Sequence, residues 1–216
     1  MIPPPGTIEG ALKGGFNPQG SGIGCLKGLP FRWLNLDALC KLMLPGHTIT
    51  RIKYFTALVS ARPNDPQQPV RHETYLRALR TLPHAEIVLG HYLTHTVTMP
   101  VANPATGTPK FIKVLKTEEK GSDVNLAVSL VHDAHRNLFD AAVVISNDSD
   151  LAGAVRIVRS ELKKVVGVLN PQQRASRTLA KEATFLKQIR QGVLGASQFN
   201  NPLTDANGTF HKPATW

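Results

Sequence analysis

Three aspartates carry most of the chemical promise of this sequence. Asp148 and Asp150 stand in the turn Ser146-Asn147-Asp148-Ser149-Asp150, directly after the apolar run Val143-Val144-Ile145, and Asp123 stands just ahead of a helical pattern. Carboxylate oxygens of this kind, completed by water, suit Mg²⁺ or Mn²⁺. Such an ion clamps a phosphate, generates hydroxide and stabilises the leaving oxygen of an in-line displacement. A structural reading competes with this one: Asp accepts backbone N–H bonds at helix N-termini, so Asp123 and Asp150 also read as caps. Ser146 and Asn147 either donate to a phosphate or simply build the turn. Glu118 and Glu119 lie near enough in sequence to add a ligand. Asp-x-Asp pairs also hold a metal and a nucleotide-sugar in transferases, but no nucleotide-binding signature accompanies this pair.

The elements that must position these residues alternate between strand and helix. Helical spacing is read over 35–44, with Asn35 as a cap, over 70–82, from Asp123 onward, from Leu151 to about 162, and over 176–189. In the helix from Asp123, Val124, Ala127, Val128, Val131 and Leu138 make the expected core face. Strands are read at 52–59, 86–93, 142–146 and 165–169, with an extra, antiparallel edge strand at 111–115 followed by a charged turn to Ser122. The uninterrupted apolar runs at 142–145 and 165–169 suit strands covered on both faces. The expectation is an α/β fold with a mostly parallel sheet, its ligand site beyond the carboxyl ends of the strands. Residues 1–14 are expected to be an irregular N-terminus, 15–192 the domain, and 193–216 a tail that packs back or frays.

The 216 residues include 25 Lys and Arg against 15 Asp and Glu, a formal net charge of +10. That surplus points to a polyanionic partner, nucleic acid first. Lys110, Lys113, Lys116 and Lys120 precede Asp123 and offer a basic approach that contacts phosphates without reading sequence; guarding a strand edge is their other reading. No long apolar run or signal-peptide pattern is present, so no membrane segment is expected. Cys25 and Cys40 do not make a disulfide framework and read as reduced thiols of a cytoplasmic protein. His91 with His95, and His132 with His135, lack zinc spacing. No Gly-x-Ser-x-Gly elbow is present for a serine nucleophile.

Taken together, Lys120-Gly121-Ser122-Asp123-Val124 and Ser146-Asn147-Asp148-Ser149-Asp150 resemble the "K-G-x-D-V" helix start and the "S-x-D-S-D" turn of the NYN domain, a branch of the PIN-like nucleases. Gly15-Phe16-Asn17 is similar to the end of that family's first motif, Asp-Gly-x-Asn. The resemblance implies a three-layer PIN-like fold with sheet order near 3-2-1-4-5. It implies a Mg²⁺- or Mn²⁺-dependent ribonuclease with Asp123, Asp148 and Asp150 as the acidic metal site, Asn17, Ser146 and Asn147 in support, and Lys113, Lys116 and Lys120 on RNA. Gly14 stands where the family's first motif has its Asp, and residues 6–13 do not read as a buried strand. The first strand is therefore doubtful, and the expected activity is impaired by loss of one ligand. The alternative is a catalytically inactive RNA- or protein-binding module. A homo-oligomer or a protein regulator is a further expectation.

Overall fold

A computed structural model describes residues 7–13, 30–61 and 65–216. Its centre is a seven-stranded sheet in the order β4-β3-β2-β1-β5-β6-β7. The strands are β1 (Thr7–Lys13), β2 (Thr48–Ala57), β3 (Ala85–Pro100), β4 (Phe111–Lys120), β5 (Ala141–Ile145), β6 (Val165–Asn170) and β7 (Phe185–Gln188). All neighbours are parallel except β3 and β4. The three-layer α/β fold is therefore as expected, with one correction at its middle. Thr7–Lys13, expected to be irregular, forms β1 between β2 and β5. Its sequence TIEGALK is too polar to read as a buried strand, and pairing with neighbours on both edges is what makes it a strand.

One sheet face is covered by α1 (Leu36–Met43) and α2 (Gln68–Arg80), the other by α3 (Ser122–His135), α4 (Ala152–Arg156) and α5 (Arg177–Glu182). Asn35 caps α1 by accepting from the Ala38 N–H at 3.0 Å, as the sequence suggests. On α3 the structure corrects the expected core face. Leu126, Leu130 and Ala134 are buried against Phe55 and Val144, whereas Val124 and Val128 are 64% and 61% exposed. The helix carries apolar residues on two sides, and the i, i+4 stripe nearest the sheet is the one used. The same face buries Asp133, whose carboxylate accepts from the Lys53 ammonium of β2.

The chain from Ser176 to Ile189, expected to be one helix, breaks after Glu182, and Phe185–Gln188 becomes β7. The break has a packing reason. The Phe185 ring lies on Gly167 of β6, where an added Cβ would stand 2.1 Å from its Cζ. The tail packs back as α6 (Gln191–Ala196) and a hairpin of β8 (Leu203–Asp205) with β9 (Gly208–Phe210). Trp33 meets Phe199 and Phe210 edge-on at 5.7 and 6.3 Å. Arg77 of α2 holds Asp205 with two bonds of 2.7 Å while its guanidinium lies 4.1 Å from the Phe210 ring centre. Among the described residues, no helix is long and apolar enough to cross a membrane.

His72 of α2 is buried, with its Nε2 3.4 Å from the Thr56 hydroxyl. Burial lowers its pKa from 6.5 to about 4. The folded protein therefore resists a proton that the unfolded chain accepts. The stability tied to neutral His72 is complete above pH ~6.5 and drains away as pH falls toward ~4, by up to about 3 kcal/mol. Urea midpoints are expected to drop between pH 7 and pH 4.5, and a His72→Gln variant should show a flatter profile. Equal slopes for the two proteins would remove His72 as the cause.

Candidate functional site

The parallel strands end level with one another and so define a rim. Lys13 of β1 pairs with Phe55 of β2, and its predecessor Leu12 pairs with Ile145 of β5. Val144 of β5 pairs with Val168 of β6, and Asn170 of β6 with Gln188 of β7. Beyond the rim on one side stands an antiparallel arm. β3 leaves β2 after Gly90 and continues with β4 alone through the pairs His91–Lys120 to Pro100–Phe111. At ~3.3 Å per residue the arm extends about 30 Å. This corrects the expected charged turn at 116–122, because β4 stays extended through Lys120. Gly121 then reverses the chain at φ 93°, a left-handed conformation that suits glycine, and α3 begins.

Asp123 is half-buried in the first turn of α3. Ser146 is fully buried at the end of β5, and its hydroxyl accepts from the Asp148 N–H at 3.1 Å. Asp148 Oδ1 accepts from the Asp150 N–H at 3.1 Å and so caps the single 3₁₀ turn Ser149–Leu151. The capping reading of this turn thus belongs to Asp148, with Asp150 exposed as the donor. α3 packs against that turn, which brings the elements carrying Asp123 and Asp148 together. Glu119, read as a spare ligand, accepts from the Ser122 hydroxyl. Glu118 is bridged by Lys116 at 2.6 Å and Lys120 at 3.1 Å, which hold its carboxyl below the usual range.

Asn147 has a structural role. Its Nδ2 donates to Gln172 Oε1 at 2.7 Å and to the Arg174 carbonyl at 2.9 Å, and its Oδ1 accepts from the Ser176 N–H at 2.6 Å. It ties the acidic turn to the loop after β6. That loop is tied in turn to β7, since Gln188 Nε2 donates to the Gln172 carbonyl at 2.6 Å and Asn170 Nδ2 donates to Gln188 Oε1 at 2.7 Å. Asn147→Ala should cost about 2 kcal/mol, because it leaves two partly buried partners, Gln172 and the Ser176 N–H, and the exposed Arg174 carbonyl without their bonds. A urea melt measures this, and a loss below about 0.5 kcal/mol would show that the loop holds without it.

The lysines do not form the single basic approach expected of them. Paired residues of an antiparallel ribbon share a face. Lys116 and Lys120, opposite His95 and His91, face one way and share Glu118; Lys113, opposite Thr98, faces the other. Asn17 and Gly14 lie outside the described residues.

The donor set is chemically apt for a divalent cation, but only to a degree. Among the described residues no three His, Cys, Asp or Glu side chains gather closely enough to hold an ion. Mg²⁺ is commonly held by one or two carboxylates, with waters and substrate phosphates completing its shell. Asp123 and Asp148, two carboxylates on elements that pack together, would suit a water-rich site of that kind and not a closed protein cage.

The NYN domain model matches residues 32–189. The chain is 32% identical to 6-hydroxy-3-succinoylpyridine 3-monooxygenase HspA of Pseudomonas putida, across 89% of this chain and 71% of that protein. A solved structure, a protein of unknown function VPA0982 from Vibrio parahaemolyticus, superposes with a TM-score of 0.55 at 16% identity, covering 87% of this chain and 94% of that one. At that identity the likeness concerns the fold alone.

Proposed function

The chain belongs to the NYN domain family, a PIN-like nuclease-type group, and from that premise we propose that it is the scaffold of a Mg²⁺- or Mn²⁺-dependent ribonuclease. RNA phosphodiesters would be hydrolysed at the carboxyl rim of the sheet. The observation that supports this best is the packing of α3 on the 149–151 turn, which brings the Asp123 and Asp148 elements together beside the end of the central strand.

Each described residue then has a task. Asp123 and Asp148 supply the negative charge that attracts a divalent ion. The Asp150 N–H fixes one oxygen of Asp148, and Ser146 fixes its backbone. Asn147 keeps the turn from swinging away from the rim. A bound ion would polarise the phosphate and lower the pKa of a water nucleophile. Gly14 follows the last residue of β1 in sequence and brings no carboxylate, so cleavage is expected to be slow. The reading is tested with single-stranded RNA and Mn²⁺: weak cleavage that disappears in Asp148→Asn supports it, and cleavage that survives the substitution removes the site.

A second reading rests on the identity with HspA, whose name makes it a monooxygenase of 6-hydroxy-3-succinoylpyridine. The same preparation, given that pyridine with a reductant and air, separates the two. Consumption of the pyridine with no RNA cleavage favours the oxygenase reading.

A further inference from the structure

We propose that the loops after β6 and β7 form the track for the RNA strand, with Arg174, Arg177 and Arg190 as its phosphate contacts. This rests on the ribonuclease reading and adds the surface that would hold the substrate. Arg174 lies in the loop that Asn147 grips through the Arg174 carbonyl. Arg177 opens α5 directly after Ser176, whose N–H also goes to Asn147, and α5 packs on the acidic turn. Arg190 follows β7, beside the Ile189 N–H that bonds the Asn170 carbonyl of β6. The three therefore share the rim with Asp148, held by one network of amide hydrogen bonds.

Among the described residues Arg174, Arg177 and Arg190 form no ion pair, as is also true of Arg32, Arg51 and Arg136, none of which lies in the loops after β6 and β7. Arg71, Arg77 and Arg80 of α2 each bridge a carboxylate, as do Arg156 and Arg159 beyond the acidic turn. Arg174, Arg177 and Arg190 are exposed. The residues that organise this rim are neutral amides, Asn147, Asn170, Gln172 and Gln188. They position the backbone without consuming positive charge. Guanidinium groups suit phosphate because their planar fork matches two of its oxygens, and an unpaired one has no ion pair to break before it binds. The arm is poorer in this respect, since Lys116 and Lys120 are already engaged by Glu118. An RNA strand is thus expected to run from the acidic turn toward β7, away from the arm.

The test is binding of a fluorescein-labelled oligouridylate by the full chain in EDTA, read by anisotropy across salt concentrations. The Arg174→Gln/Arg177→Gln/Arg190→Gln protein is expected to lose about tenfold or more in affinity and to lower the salt slope by about 2, at ~0.7 per phosphate contact on single strands. The Lys113→Gln/Lys116→Gln/Lys120→Gln protein should lose less than about threefold, since Lys116 and Lys120 are already paired with Glu118 and Lys113 lies on the other face of the arm. Matching urea midpoints exclude misfolding. If the arginine protein binds like the parent, or the parent shows no binding up to about 100 µM at low salt, the track is overturned. Cleavage is measured separately with Mn²⁺. Arginine-independent binding alongside Asp148-dependent cleavage overturns the track and leaves the nuclease; arginine-dependent binding without any cleavage overturns the nuclease and leaves an RNA-binding surface.

Discussion

Gly14→Asp is expected to raise Mn²⁺-dependent cleavage of single-stranded RNA about tenfold or more, and adding Asp148→Asn to abolish that gain. The rise follows from charge. A carboxylate within a few Å of a dication contributes several kcal/mol even in a moderate dielectric, and each ~1.4 kcal/mol retained in the transition state is a factor of ten in rate. Residue 14 comes next in sequence after Lys13, the last residue of the central strand, whose neighbours are the ends of β2 and β5. Asp148→Asn is the informative partner because asparagine still accepts the Asp150 N–H and keeps the 3₁₀ turn capped. It therefore removes charge while leaving the turn's shape. A Gly14→Asp protein no faster than its parent, at saturating Mn²⁺, would show that the missing acid is not what limits this scaffold.

The largest effect on stability is expected from Asp133→Ala, about 3–5 kcal/mol. Lys53 and Asp133 have side chains only 8% and 6% exposed, with the Lys53 ammonium on the Asp133 carboxylate between β2 and α3. Removing the Asp133 carboxylate takes its ion pair from a buried ammonium, whereas removing both groups leaves no buried charge to compensate. Lys53→Met/Asp133→Leu should accordingly recover most of the loss, and double-mutant urea melts measure the difference. A single Asp133→Ala that unfolds within about 1 kcal/mol of the parent would show that the Lys53 charge is compensated without Asp133.

Such a loss lies well outside the acidic site, yet it bears on function through α3. That helix carries Asp133 near its end and Asp123 in its first turn. Loosening its seat on β2 is expected to weaken metal-dependent cleavage as well as the fold. Cleavage should fall in Asp133→Ala and return in the double variant.

Periodicity made the helices at 35–44 and 70–82 and the buried strands at 142–146 and 165–169 legible, because each is decided by one strong local pattern: a capped amphipathic face or an unbroken apolar run. It also isolated the acidic turn, and the motif around Asp123 and Asp148 led to the family that matches residues 32–189. Three features escaped. β1 is a polar-looking segment made into the central strand by pairing on both edges. β7 exists because Phe185 fits over the bare backbone of Gly167. On α3 either of two apolar sides satisfied the spacing, and the choice fell to Leu126, Leu130 and the Asp133 pair with Lys53.

The site divides in the same way. Residue types and spacing by themselves determined which carboxylates stand at element ends and that the protein is basic, since both are local or summed properties of the chain. Only the tertiary structure decided the surroundings of each polar group: that Asp148, rather than Asp150, caps the acidic turn, that Asn147 clamps a distant loop, that Glu118 engages two of the arm's lysines, and that three arginines share the rim without an ion pair among the described residues. The physical reason is that a charged side chain is defined by what lies within about 4 Å of it, and those neighbours come from strands and loops far apart in sequence.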